Sequence, residues 1–142
     1  VIREMHERDV ELLLPTDHLC ASSFDSDDAH LCDEVIPEGM MGLDIGPESS
    51  RRFGECVTAA GTVVWNGPMG VFEREPYADG TQKVAECVAR AKGYTVVGGG
   101  DSAAAIRAFG LADGIDHIST GGGASLELMR GESLPGVEAL SG

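Results

Sequence analysis

From residue 42 onward, short unbroken apolar runs alternate with stretches of helical periodicity. Thr62 to Trp65, Thr95 to Val97 and Ile118 to Thr120 read as short, continuously apolar strands of the kind buried on both faces. Between them, a helix is expected from Pro47 to Ala60, since proline suits a first helical position and Gly61 follows as a stop. A second is expected over residues 77–91, where Val84, Val88 and Ala91 fall on one stripe before Lys92-Gly93. A third is expected over 101–109 and a short last one over 125–130, closed by Gly131. Upstream, the pattern predicts a helix over 1–8, a buried strand over 10–15 stopped by Pro15, and short strands at Leu19 to Ala21 and Val35-Ile36 around a polar loop, 25–34. Strand-helix alternation of this kind needs crossover connections. It predicts an α/β fold, a three-layer Rossmann-like parallel sheet with helices on both faces. The tail from Leu134 to Leu140 reads as an extended connector.

Three of these strands end in glycine-rich elbows: Asn66-Gly67-Pro68-Met69-Gly70, Gly98-Gly99-Gly100-Asp101-Ser102 and Thr120-Gly121-Gly122-Gly123-Ala124-Ser125. A parallel strand that turns through glycines into a helix presents backbone N–H groups at the carboxyl edge of its sheet, where the helix dipole favours anions. A phosphate-bearing ligand is therefore the first to consider. Asp101 alone would repel phosphate; a Mg²⁺ held by that carboxylate reverses the sign, and the alternative is that Asp101 caps its helix. The third elbow has no acid in its first turn, so its N–H groups stay available to an anion. No glycine precedes Lys-Ser or Lys-Thr, which excludes a P-loop. Gly98-x-Gly100-x-x-Ala103 matches the dinucleotide fingerprint, but the acid that should end the following strand is missing; Asp113 and Asp116 precede that strand.

Composition narrows the ligand further. The chain has 142 residues, enough for one domain, with 42% hydrophobic and 5% aromatic residues. Its formal charge of −14, from 24 acidic against 10 basic residues, argues against a nucleic-acid partner and leaves phosphate binding to backbone N–H groups and a metal. No apolar run approaches the roughly 18 residues of a membrane span, so a soluble, cytoplasmic chain without a membrane partner is expected. Cys20, Cys32, Cys56 and Cys87 form no C-x-x-C pair; they are expected to be reduced, with Cys56 and Cys87 packing within helices. The four histidines are scattered. A calcium loop counted from Asp25 fails, because His30 stands where glycine is needed and Ile36 where the bidentate glutamate is needed. The chain opens at Val1 inside a helical pattern without an initiator Met or an N-cap, so a fragment is expected.

Together, Leu12-Leu13-Leu14-Pro15-x-Asp17, Gly42-Leu43-Asp44-Ile45-Gly46-Pro47, Val64-Trp65-Asn66-Gly67-Pro68-Met69-Gly70-Val71-Phe72-Glu73, Gly98 to Ser102 and His117 to Glu127 closely resemble the carboxyl-terminal, nucleotide-binding half of the phosphoglycerate kinases. The resemblance covers nearly the whole chain, 1–142, with the amino-terminal substrate domain absent. It implies reversible phosphoryl transfer between 1,3-bisphosphoglycerate with ADP and 3-phosphoglycerate with ATP, assisted by Mg²⁺, in a protein that is a monomer when full length. It implies that Leu43, Asn66 and Pro68 line the adenine pocket and that Glu73 holds the ribose hydroxyls. Gly99, Gly100 and Ser102 would meet the phosphates, and Asp101 would hold the nucleotide's Mg²⁺. Gly100, Gly121, Gly122 and Gly123 would offer backbone amides to the phosphoryl group in transfer. A fragment without the other domain is expected to be inactive alone, and a non-catalytic nucleotide-binding module is the alternative.

Overall fold

The computed structural model describes residues 2–119, 121–134 and 138–139. Helix α1 (Ile2–Glu7) is held by turn-to-turn pairs, Arg3 with Glu7 and Arg8 with Glu4. The strand expected over 10–15 does not form: the segment makes no ladder, and Leu12 and Leu14 are exposed. An apolar run becomes a strand only beside another strand, and no described strand adjoins this one; Pro15 also lacks an N–H to offer. Pairing begins two residues later.

There, β1 (Asp17–Ala21) lies between β2 (His30–Asp33) and β3 (Met41–Ile45), antiparallel to both. This corrects two expectations. The strand near Val35-Ile36 sits instead at residues 30–33, inside the polar stretch, while Val35 is 79% exposed. A second, antiparallel sheet also stands beside the expected parallel one: loop 22–29 turns the chain back from β1 to β2, and the segment through Gly39 (φ +79°) carries it across to the other edge of β1, where β3 runs in the same direction as β2.

The second sheet follows the predicted alternation. Helix α2 (Pro47–Ala59) leads to β4 (Thr62–Asn66), α3 (Asp79–Arg90) to β5 (Tyr94–Gly98), and α4 (Gly100–Ala108) to β6 (His117–Ser119); α5 (Gly122–Met129) follows. The order is β4-β5-β6, all parallel. Thr120, expected to end β6, lies outside the described residues, as does most of the tail beyond Leu134.

Alternation along β4 buries Val63 and Trp65 and leaves Thr62, Val64 and Asn66 exposed. The buried pair joins Val97, Ile106, Val84, Ala85, Val88 and Ile45 in the main core, which places α3 and α4 on one face of the sheet. Ala103 and Ala105 are fully buried, so α4 approaches closely. On the opposite face, Ser125 of α5 comes up to Gly98. A smaller core of Ala21, Leu43 and Tyr77 joins the antiparallel sheet to the loop after β4. All four cysteines are free; Cys87 packs its sulfur against Gly54, whereas Cys56 is exposed rather than packed.

Candidate functional site: three elbows at one sheet edge

Parallel order brings the carboxyl ends of β4, β5 and β6 side by side, and the three elbows meet there. Gly99 has φ +96°, a conformation glycine adopts without strain, and its N–H donates to the Ser119 carbonyl at 3.1 Å. Gly122 lies against it: a Cβ on Gly122 would stand 2.7 Å from the Gly99 Cα and 3.0 Å from its nitrogen. The second and third elbows are therefore in backbone contact, a packing that no side chain larger than glycine's allows. Asn66 reaches between them, with its Oδ1 2.8 Å from where a Gly99 Cβ would be and 3.4 Å from where a Gly122 Cβ would be.

Two helices start at this junction. The first bond within α4 is Ala103 N–H to the Gly99 carbonyl, and the first within α5 is Ser125 N–H to the Gly121 carbonyl. The N–H groups of Gly100, Asp101 and Ser102, and those of Gly122, Gly123 and Ala124, are left without helical partners. Both dipoles converge on the same small volume, so an anion there meets two positive helix ends. Ser125 and Ser119 join hydroxyls at 3.0 Å and Gly121 N–H donates to Ser119 Oγ at 3.3 Å, fixing the third elbow to its strand.

Asp101 is exposed in the first turn of α4, and among the described residues its carboxylate takes part in no hydrogen bond or ion pair. No group of three or more possible metal ligands occurs among the described residues. A Mg²⁺ that keeps water and phosphate oxygens needs only one carboxylate from the protein, and Asp101 fits that demand. Ser102 is placed differently: its side chain is fully buried, and its Oγ accepts the Gly67 N–H at 2.7 Å. That hydroxyl ties the first elbow to the second.

Beside the junction, Leu43 and Pro68 line a cleft of about 380 Å³ together with Ile36, Gly42, Met69 and Val71. Asn66 is not part of that lining; it belongs to the glycine junction. Glu73 stands exposed on the turn just beyond Val71.

The loop carrying Pro68 to Glu73 is shaped by residues that sequence reasoning missed. Thr81, fully buried in α3, accepts N–H groups from both Met69 and Gly70 at 3.1 Å. Asp44, 4% exposed, accepts the Gly80 N–H at 2.7 Å and the Ile45 N–H at 2.9 Å, so it caps α3 from a neighbouring strand. Burial pushes its carboxyl up to about 6, despite these two N–H groups and Lys83, with the charge of Asp79 adding to the rise. Val71 N–H donates to the Leu43 carbonyl at 2.8 Å, and the Phe72 ring meets Phe109 edge-on with centres 6.3 Å apart. The only local signal for Asp44 was an acid inside an apolar run.

Positive charge is scarce at this edge. Arg3, Arg8, Arg51, Arg74, Lys83, Arg90 and Arg130 are each paired with a carboxylate, and none of the ten basic residues sits in the three glycine elbows.

A family model described as phosphoglycerate kinase matches residues 1–132. The phosphoglycerate kinase of Roseiflexus castenholzii is 55% identical over 137 residues, covering 95% of this chain and 35% of that protein. That of Desulfosudis oleivorans is 54% identical over 142 residues, covering 99% and 36%. Among solved structures, phosphoglycerate kinase from Coxiella burnetii superposes with a TM-score of 0.88 at 38% identity, over 96% of this chain and 36% of that one. The enzyme from Pyrococcus horikoshii gives 0.82 at 35% identity, over 98% and 35%. The chain thus spans 35 to 36% of the length of these relatives.

Proposed function

Since the chain belongs to the phosphoglycerate kinase family, we propose that it is the carboxyl-terminal nucleotide-binding part of a cytoplasmic kinase. That kinase moves a phosphoryl group reversibly between 1,3-bisphosphoglycerate with ADP and 3-phosphoglycerate with ATP, and an amino-terminal domain outside this chain binds the phosphoglycerate. The parent acts as a monomer, without nucleic-acid or membrane partners; among the described residues, no helix is long and apolar enough to cross a membrane. The observation that carries this reading is the junction of two helix N-termini and three glycine elbows at one edge of a parallel sheet.

In this reading the cleft of Leu43 and Pro68 receives the adenine, and Asn66, outside the cleft lining, holds the glycine junction. Glu73 accepts hydrogen bonds from the ribose hydroxyls. The N–H of Gly100 meets the nucleotide phosphates at the turn that Gly99 makes and Ser102 holds, while those of Gly122 and Gly123, with Gly100, face the phosphoryl group in transfer; the N–H groups of Gly99 and Gly121 are already given to Ser119. Amides already fixed where charge develops need no reorganisation during the reaction. Asp101 would hold Mg²⁺, which when bound neutralises charge across the phosphate oxygens.

The test is titration calorimetry of ADP with and without Mg²⁺ on this chain and on Asp101→Ala. Metal-dependent binding by the wild type and its loss in the variant are expected; equal, metal-independent binding would remove the assigned role. The chain alone should give a blank in a coupled assay with ATP and 3-phosphoglycerate, because none of its ten basic residues sits in the elbows and seven are paired with carboxylates. An arginine aimed at the transferring group is worth roughly 10³ to 10⁵ in rate in phosphoryl transfer. Robust turnover by the purified chain would overturn that expectation.

A further inference from the structure

The polar loop between β1 and β2 is not idle surface. Its backbone and one of its carboxylates grip the turn that follows Glu73. The Arg74 guanidinium pairs with the Asp27 carboxylate and donates through Nη2 to the Asp25 carbonyl at 2.9 Å. The same guanidinium lies 5.8 Å from the centre of the Phe24 ring and 5.6 Å from that of Tyr77. The Tyr77 hydroxyl donates to the Ser26 carbonyl at 2.6 Å, and the Tyr77 side chain is fully buried. Four consecutive loop residues, Phe24 to Asp27, thus contact two side chains of one short turn across a separation of about fifty residues in sequence.

The energetics favour an ordering role over a stabilising one. A single surface ion pair contributes little, because water screens it and two long side chains must be fixed. Here the Arg74 side chain is only 21% exposed, backed by two aromatic rings and a carbonyl, so its rotamer freedom is already spent. Glu73 is the adjacent residue, and its own carboxylate has no partner among the described residues to orient it. The turn it sits on is fixed from the other side by Phe72 against Phe109. Removing the grip on Arg74 leaves one side of that turn unheld.

We propose that loop 24–27 is a clamp that positions Glu73 through Arg74 and Tyr77, making Asp27 and Arg74 positioning residues for recognition of the nucleotide's ribose. This rests on the reading of Glu73 as the ribose-binding carboxylate. Asp27 is 77% exposed, so a substitution there alters the clamp without opening the core.

The experiment uses the full-length parent enzyme and compares Asp27→Lys, Tyr77→Phe and the charge-swapped double variant Asp27→Lys, Arg74→Glu. ADP and 2′-deoxy-ADP serve as substrates, and the melting temperature of each variant is recorded. Asp27→Lys should raise KM for ADP roughly 3- to 10-fold with kcat changed less than about twofold. It should also shrink the preference for ADP over the 2′-deoxy nucleotide, since the hydroxyl contact is what the clamp aims. The double variant should regain part of that preference, and Tyr77→Phe should fall between wild type and Asp27→Lys. An active wild type whose KM and ribose preference survive Asp27→Lys unchanged would overturn the clamp. So would equal losses for both nucleotides accompanied by a lower melting temperature, the mark of a merely structural role. A wild-type parent that prefers neither nucleotide would instead overturn the ribose role of Glu73 and, with it, the proposal.

Discussion

At the edge of β4-β5-β6, the polar groups left free are backbone N–H groups, six of them at the starts of α4 and α5, and the side chains around them are mostly glycine. In the antiparallel region the arrangement is reversed. There the backbone is satisfied by carboxylates turned inward: Asp17 caps α2 through Glu48 N–H at 2.9 Å and Ser49 N–H at 2.8 Å, and Asp44 caps α3. A helix start with its N–H groups free can receive an anion, and one already occupied by a buried carboxylate is a joint. The molecule uses the same backbone chemistry for both purposes, and the presence of an internal carboxylate decides which.

The sharpest way to break this comparison is to separate the two free helix starts. Gly122→Ala in the parent enzyme would place a Cβ 2.7 Å from the Gly99 Cα, forcing the second and third elbows apart while keeping every N–H. Misplacing a transition-state contact by about an ångström costs on the order of 10²-fold in rate, and that fall in kcat is expected. Gly123→Ala is the control, since nothing lies within 4 Å of its Cβ position. It should keep most of the activity. Equal losses at the two positions in steady-state turnover would show that backbone freedom, rather than the contact of the elbows, is what matters.

At the joints the expected loss is stability, with nucleotide recognition kept. Asp17→Ala strips the cap from α2 and leaves the buried Ser49 hydroxyl, 2.5 Å from the Asp17 carboxylate, without that partner. A lost cap of this kind costs about 0.5 to 2 kcal/mol; the Ser49 hydroxyl keeps the Thr16 N–H at 2.9 Å and the Asp17 N–H and carbonyl at 3.2 Å, so losing the carboxylate adds little there. Urea denaturation should show a lower midpoint with an unchanged slope, and KM for the nucleotide should stay within about twofold of wild type, as expected for a site that shares no contact with the change. A raised KM with an unmoved midpoint would place Asp17 in the recognition machinery.

The two regions were also unequally legible. Strand-glycine-helix units carry their signal within a few residues, which is why all three elbows and the order of elements from Pro47 onward could be read directly. The joints join partners far apart in the chain: Asp17 with Ser49, Asp44 with Gly80, and Arg74 with Asp27. No local pattern announces them. The misread strand at 10–15 fails for a related reason, since an apolar run does not disclose whether a neighbour exists to pair with it. Ser102 shows the limit inside a legible motif: its place in the glycine elbow was plain, yet its hydroxyl turns inward to Gly67.

The last test probes the joints by pH, because the two capping carboxylates are shifted in opposite directions. Burial alone would raise Asp17, but hydrogen bonds from the Ser49 hydroxyl and from the Glu48 and Ser49 N–H groups outweigh it and hold the carboxyl below its ordinary value of 3.8. The unfolded chain therefore binds the proton first as pH falls, and the stability contributed by Asp17 is present above pH 3.8 and lost through the lower folded value. Asp44 is raised to about 6, so the folded chain keeps a proton that the unfolded chain has released; its contribution is complete below pH 3.8 and is lost as pH rises to about 6. Other carboxylates titrate in the same range, which makes the difference between wild type and Asp44→Asn the useful quantity. Subtracting the two urea-derived stability profiles should leave a term that falls between pH 4 and 6 and is flat above 7. The corresponding subtraction for Asp17→Asn should leave a term that rises with pH below 4. A flat Asp44 difference would mean that this carboxyl is ionised throughout, with the N–H groups of Gly80 and Ile45 stabilising its charge as fully as water does.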